Sequence, residues 1–582
     1  MNELREGEIR PVLVMAAVVM ALTIVPYAAA LYLGAPDQVF GGFIWGVDEG
    51  NAYMAWIRQA SEGRVLLANQ YTTEPQNPHF FNLFFSFCGA ISAAADMPPI
   101  IVFRALRVIG GIFTLGSFYW LISLLTADRW VRRSALGLCA LGSGLGWLVV
   151  YAHEAGIDLG LRPIDVGVWW QVQPEAVTFL SAQLNPLFII SMGLMCLVMG
   201  YALIALETSS RPAAVLSGAV LLVLGNVHTY DIFPVHFALG LWIIFGLCTR
   251  RYRLKDAATT YAMIFLVALP APLWSYWAAN QDPAYMAKAL TDTTTLGLVN
   301  YLVGYGLLGV LALVGLAAAL RRPTRADDPA TRPNQHHLLL FPALWILAHC
   351  IALVLPVSFQ RKMIEGLHMP IAMLAGVGVV FLGRLLTRRP EQAGNQKLVR
   401  RQMAMVVIAA VALTVPSNMV FVAQCMENVR TNNEMLLEVL VPPIYMSGDY
   451  AGAVRWLAGE SQAGEVVFSS SLIGSHIPAH APCTVYIGHW AETLQFGSKL
   501  GDVMRFYAPG SGVDRAATVR QLGLDYVMYG PYERMLGAAL DPDDVRQLDL
   551  QADTGGVLEP AFTAGEVTVY RATVYPAVRA GG

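Results

Sequence analysis

Apolar runs of about 20 residues, the length a helix needs to cross a bilayer, recur throughout this chain. They lie near 11–33, 101–125, 134–152, 186–206, 213–231, 232–249, 258–279, 298–320, 338–357, 367–387 and 402–424. Backbone inside hydrocarbon must satisfy its own polar groups, so runs of this length fold as helices. The expectation is an α-helical polytopic membrane protein with about eleven transmembrane helices. Only 14% of the 582 residues are charged, against about 25% in an ordinary soluble domain. A net charge of −3 argues against a nucleic-acid partner. The first run carries Ala28-Ala29-Ala30, which mimics a cleavage site, but it is longer than a signal-peptide core and reads as a retained helix.

Charge orients these spans. With the N-terminus inside, one set of loops collects Arg129, Arg132 and Arg133, then Arg250, Arg251, Arg253 and Lys255, then the arginines and lysine of 321–332 and 388–401. That side holds 20 of the 38 Lys and Arg, the opposite side 8 and the C-terminal region 10. This is the positive-inside pattern. The segment 79–95 is apolar but only 17 residues long, a twelfth span or a re-entrant or interfacial helix. Counting it as a span would put the N-terminal arginines opposite the other basic loops, so it is left out. Residues 1–425 are then expected to form the membrane domain, with a long first outer loop at 34–100.

The tail, 426–582, has a different rhythm. Short β-rich runs, EVVFSS at 465–470, TVYIG at 484–488, DYVMYG at 525–530 and EVTVYRA at 566–572, alternate with amphipathic stretches at Asp449–Ala458 and Asp514–Leu522. This predicts an extracytoplasmic α/β domain with some parallel pairing. Seven cysteines are scattered, with no CxxC pair and no Cys/His cluster, so they read as small core hydrophobes. Cys425 and Cys483 lie outside the spans, where a bridge between them is conceivable.

The candidate chemistry lies on the outer side. Asp48 and Glu49 open a predicted amphipathic helix over Gly50–Ser61, with Tyr53 and Trp56 on one face. It is expected to lie flat at the interface with its aromatic rings at headgroup level. Carboxylates at a helix N-terminus gain up to about 1 kcal/mol from the dipole; a cap accounts for one acid and not for its neighbour. The polar, proline-punctuated stretch Asn69-Gln-Tyr-Thr-Thr-Glu-Pro-Gln-Asn-Pro-His79 offers Asn69, Tyr71 and Glu74 to sugar hydroxyls, or is a solvated loop. Arg104 and Arg107, three apart, and Arg361 and Lys362 sit near the outer boundary. They either snorkel or converge on a phosphate, which guanidinium grips bidentately. The stretch Phe359-Gln-Arg-Lys-Met-Ile-Glu-Gly-Leu-His368 is the best phosphate-site candidate. His228 and Asp231, i and i+3 in a helix, either orient a substrate or form a structural pair. Glu175 supplies another acid at the rim. A divalent metal held by Asp48, Glu49 or Asp231 is chemically reasonable, but sequence supplies no geometry for it. His489, Trp490 and Glu492 follow a predicted strand, at the end where α/β domains bind ligands; ordinary domain packing is the alternative. GSGLG at 142–146 lies in an apolar run and reads as helix packing through small residues.

A first helix, a long outer loop opening on an acidic pair, about eleven spans and an outer C-terminal domain together resemble the GT-C glycosyltransferase superfamily. That superfamily includes protein O-mannosyltransferases, aminoarabinose transferases and the catalytic subunits of oligosaccharyltransferases. More closely, YMAWIRQASEGRVLLANQYTTEP, GSGLGWL, FQRKMIEGLHMP and YIGHWAETLQF resemble stretches in a group of bacterial multi-span proteins, a match that carries no activity. The superfamily resemblance implies a polyprenyl-phosphate sugar donor in a bacterial plasma membrane and an acidic base in the first outer loop. By motif position that base is Asp48, with Glu49 second; in mannosyltransferases the similar pair is also Asp-Glu. The tryptophan–aspartate motif of oligosaccharyltransferases is not evident.

The implied reaction passes a sugar from the lipid phosphate to an acceptor hydroxyl on a protein, lipid or glycan. Asp48 takes the proton, and Arg361 and Lys362, with Arg104 or Arg107, stabilise the leaving phosphate. The rivals are a lipid-linked sugar transporter or flippase, a non-catalytic membrane scaffold, and a polymerase or ligase of surface glycans. The absence of an internal repeat weighs against a transporter.

Overall fold

In a computed structural model, the described residues are 6–161, 173–321, 336–392, 394–433, 441–540, 544 and 546–573. They fall into two compact units. The first comprises Met1–Val25, Phe103–Ser275 and Asp292–Gln424; the second comprises Pro26–Val102, Tyr276–Thr291 and Cys425–Gly582.

Among the described residues, seven helices are long and apolar enough to span a bilayer, and nine if two bent pairs each count as one span. The bent pairs are Leu254–Ala268 with Pro270–Gln281 and Gln396–Thr414 with Pro416–Thr431; each breaks where a proline opens the second helix. The expected spans at 213–231 and 338–357 correspond to Arg211–Val227 and His337–Ala352, apolar helices of fewer than 18 residues. Leu83–Ala95 is likewise too short to span, and is capped by Asn82, whose side chain accepts from the Phe84 and Phe85 amides. This is a multi-pass membrane protein.

The first unit is held by close helix contacts. A Cβ on Gly315 would lie 1.8 Å from the Leu374 carbonyl oxygen, and one on Gly378 would lie 2.2 Å from that of Leu311. The helices Leu298–Leu320 and His368–Gln392 therefore touch backbone to backbone. GSGLG has the same character: a Cβ on Gly144 would meet the Gly304 carbonyl oxygen at 2.0 Å. Here the third expected span is interrupted between Arg129–Leu141 and Gly146–Glu154. Neighbouring helices satisfy the freed backbone groups. Ser143 N–H donates to Thr414 O (2.7 Å) and Leu145 N–H to Val303 O (2.9 Å), while Asn418 Nδ2 donates to Leu141 O (2.8 Å).

Among the described residues, the second unit contains seven strands: β1 Gln38–Phe40, β2 Tyr445–Ser447, β3 Val466–Phe468, β4 Thr484–Val485, β5 Tyr526–Tyr529, β6 Leu558–Ala564 and β7 Val567–Ala572. Strands β1 and β2 pair antiparallel, Val39 opposite Met446. The others form one sheet in the order β4-β3-β5-β7-β6. Strand β3 pairs parallel with both β4 and β5, and the β5–β7–β6 half is antiparallel. All four β-rich runs of the tail became strands; β6 and the β1–β2 pair are additional. Phe468, Val503, Phe506, Tyr507, Val527 and Leu536 fill the core against the sheet.

One expectation is corrected. Val47–Ser61 is a helix, but it does not lie flat at an interface, for every residue from Gly50 to Gln59 is buried. Tyr53 and Trp56 are each 6% exposed, and Trp56 packs at 5.1 Å from both Phe80 and Phe85. The expected amphipathicity is cancelled because Leu83–Ala95 and the C-terminal segment 476–483 cover its other faces. A Cβ on Gly89 would lie 2.5 Å from Ala60 Cβ, and Arg58 Nε donates to Pro478 O (3.1 Å). Cys425 and Cys483 are separate, buried free thiols.

Candidate functional site

In the second unit, Gly46 adopts a left-handed conformation (φ 56°) and turns the chain into the helix Val47–Ser61. Asp48 and Glu49 thus fall in its first turn, at the positive end of the dipole. Tyr53, one turn on, donates its hydroxyl to Glu49 Oε1 (2.6 Å). His489, in the loop after β4, faces both acids: its Nε2 lies 3.4 Å from Glu49 Oε2 and 3.8 Å from Asp48 Oδ2. The Ala491 and Glu492 amides donate to His489 Nδ1 (3.0 and 3.2 Å), which in the neutral ring puts the proton on Nε2, toward the acids. Burial opposes a charge on His489, but Glu49, Asp48 and Glu492 outweigh it and hold its pKa above the usual histidine value. The two amide donors on Nδ1 work in the opposite sense.

Glu492 is buried and ion-paired with Lys288, whose ammonium also sits 4.5 Å from the Trp56 ring centre. Lys288 was not among the sequence candidates. It lies in the last turn of the helix Pro283–Ala289 with no motif around it, and only folding brings it to Glu492. Trp490 is about half exposed, beside this cluster. Asn69, Tyr71 and Glu74, proposed from sequence for sugar hydroxyls, make protein contacts. Asn69 Nδ2 donates to Glu492 O (2.8 Å), Tyr71 Oη donates to Ser475 O (3.1 Å), and Glu74 pairs with Lys499 (2.8 Å). Burial works to raise the Glu74 pKa, but the Lys499 and Thr72 hydrogen bonds overcome it and hold the carboxyl below its usual range.

A second group of candidates belongs to the first unit. Arg361 and Lys362 lie on the short helical turn Gln360–Ile364, which Thr293 holds by accepting the Arg361 N–H (2.9 Å). The Lys362 ammonium is 4.8 Å from the Tyr230 ring centre. Glu175 is buried on the turn Pro174–Ala176, and its pKa is pushed up to about 7 by that burial, against the opposing pull of Arg361, His228 and Lys362. His228 precedes the turn Thr229–Asp231 and puts Nδ1 3.1 Å from Asp231 Oδ1. Its other acidic neighbour is Glu365, also at 3.1 Å. Glu365 stands inside the quoted Phe359–His368 stretch but was overlooked there beside the basic pair. His368 is fully buried, its Nδ1 2.9 Å from Thr178 Oγ1. Arg107 Nη1 donates to Ala182 O (2.7 Å) and Arg104 Nη1 to Leu184 O (3.4 Å), so both contact the last carbonyls of the helix Thr178–Leu184.

The fold, with its many-span helical unit and C-terminal mixed sheet, is similar to those of solved membrane proteins. Among solved structures, ArnT from Cupriavidus metallidurans bound to undecaprenyl phosphate superposes with a TM-score of 0.51 at 13% identity, over 96% of this chain and 97% of that one. The apo oligosaccharyltransferase of Archaeoglobus fulgidus also gives 0.51, at 12% identity over 88% of this chain and 69% of that one. No protein-family model matches the sequence. No curated protein matches it either.

Proposed function

We propose that this chain is a membrane glycosyltransferase, moving a sugar from a polyprenyl-phosphate donor to an acceptor hydroxyl on the extracytoplasmic side. The observation that carries this reading is the acid pair Asp48–Glu49 in the first turn of a buried helix, faced by His489, in a chain with the fold of ArnT and an oligosaccharyltransferase. The solved ArnT holds undecaprenyl phosphate, and a donor of that chemistry is assigned here by analogy.

In the proposed step the acceptor oxygen forms a bond to the anomeric carbon while the bond from that carbon to the phosphate oxygen breaks. The hydroxyl proton passes to the Asp48 carboxylate, a contribution of roughly 10²- to 10⁴-fold for general-base catalysis. His489 faces both acids, but Glu49 also accepts from Tyr53, and Asp48 is therefore assigned as the proton acceptor of the pair. Arg361 and Lys362 are assigned to the lipid phosphate, where charge accumulates as the bond breaks.

The test is mass spectrometry of detergent-purified protein for a bound polyprenyl-phosphate sugar, together with its turnover on added acceptor. Asp48→Asn is expected to keep the lipid and lose transfer by at least about 10²-fold, and Arg361→Ala to lose the lipid. Unchanged transfer by Asp48→Asn would end the base assignment. Movement of the lipid-sugar across vesicles without its consumption would establish a flippase instead.

A further inference from the structure

The first unit holds a cluster that the sugar-transfer reading does not use. His228, Asp231 and Glu365 bring one imidazole nitrogen and two carboxylate oxygens within 4.8 Å of one another. Asp231 and Glu365 are both 0% exposed. Neither oxygen of Asp231 and neither oxygen of Glu365 has a hydrogen-bond partner of good geometry. His228 Nδ1 lies 3.1 Å from one oxygen of each. A single Nδ1–H can serve one acceptor, and four buried carboxylate oxygens are present. With both carboxylates ionised, even a fully protonated His228 would leave the trio one negative charge in excess, in a place where an uncompensated charge costs several kcal/mol. Two carboxylates this close, without a cation, also repel.

We infer that His228, Asp231 and Glu365 form a binding site for a divalent transition-metal ion of the zinc class. A dication with a neutral imidazole and two carboxylates makes the cluster electrically neutral and gives the orphaned oxygens a partner. Tetrahedral zinc, with ligand bonds of about 2.0–2.2 Å, sets its donors about 3.4 Å apart. Two of the separations here are already 3.1 Å, so small side-chain rotations complete the site. The donors also select the metal. Imidazole favours zinc and its transition-metal neighbours over magnesium or calcium, and three protein ligands, only two of them oxygens, fall well short of the six to eight oxygens calcium takes.

The site joins two segments. His228 and Asp231 lie at the junction between the helices Arg211–Val227 and Ile232–Cys248, and Glu365 follows the turn carrying Arg361 and Lys362. A bound ion would fix that turn to the junction. The phenyl ring of Phe188 and the phenol ring of Tyr230 pack edge-on against His228 at 5.7 and 5.6 Å, fixing the imidazole plane.

The experiment uses the full chain, purified in detergent through a tag without histidines, stripped with chelator and dialysed against zinc. Metal content by mass spectrometry is expected to approach one zinc per chain. Asp231→Asn, Glu365→Gln and His228→Gln should each weaken zinc binding by at least about tenfold, and magnesium should not compete. Melting temperatures separate lost ligands from lost fold. In chelator, Asp231→Asn and Glu365→Gln should melt no lower than the parent, since each removes one of two crowded carboxylates. Zinc should raise the melting temperature of the parent and of neither variant. X-ray absorption of the cobalt-loaded protein should show one imidazole among oxygen ligands. Asp48→Asn should retain its zinc whether or not it has lost transfer, which keeps this inference separable from the enzyme assignment. A parent that binds no zinc, or three variants that bind it as tightly as the parent, would overturn the site.

Discussion

His476 lies behind the helix that carries the two acids, and its protonation should loosen that helix in a way that can be measured. Its Nδ1 accepts from Asn51 Nδ2 (3.1 Å), one turn beyond Asp48, and the ring is 1% exposed. Burial, reinforced by the neighbouring His480, pushes its pKa down to about 3. In the unfolded chain the same ring titrates near 6.5. Between those values the unfolded state binds a proton that the folded state refuses, so stability falls as pH drops below 6.5. At pH 5 the unfolded ring is almost fully protonated, and the 1.5 units below 6.5 amount to about 2 kcal/mol. For a unit of this size that is roughly 4–8 °C in melting temperature. The assay is thermal unfolding of detergent-purified protein at pH 8 and at pH 5, for the parent and for His476→Gln. Glutamine can still accept from Asn51 but has no proton to gain. The variant is expected to lose about 4–8 °C less than the parent on going from pH 8 to pH 5. Other histidines contribute equally to both proteins and cancel. Identical pH slopes would show that His476 is not held neutral by its surroundings, and the argument from burial would fail.

Two further perturbations probe the packing. Lys288→Met should cost about 3 kcal/mol, the low end for breaking a buried ion pair, because Glu492 is 5% exposed at its side chain whereas Lys288 is 27% exposed. The double variant Lys288→Met/Glu492→Gln should recover more than half of that loss in a thermal melt, and a double variant as unstable as the single one would refute the pairing. Gly315→Ala drives a methyl group into the Leu374 carbonyl and should destabilise by about 1–3 kcal/mol. Gly116→Ala, where a Cβ meets nothing within 4 Å, should be neutral or gain about 0.5–1 kcal/mol; equal melting temperatures for the two would contradict the close helix contact.

What the amino-acid order determined by itself is the class of the molecule and the placing of its helices. Apolar runs have a length fixed by the bilayer, and that signal is local. The tail was legible for the same reason: β-branched and aromatic runs such as EVVFSS and DYVMYG carry their strand signal in a few consecutive residues. Asp48 and Glu49 stood out as adjacent acids at a helix start, which is again a local pattern. The tertiary structure alone decided what surrounds them. His489 reaches the acids from more than 400 residues away, Lys288 finds Glu492 across about 200, and Glu365 meets His228 and Asp231 across more than 100. It also buried every residue from Gly50 to Gln59 of the helix Val47–Ser61, although the residue pattern alone reads as an interfacial face. Helical periodicity records which residues share a face; whether water, lipid or another segment covers that face depends on contacts distant in sequence, and no run of consecutive residues encodes them.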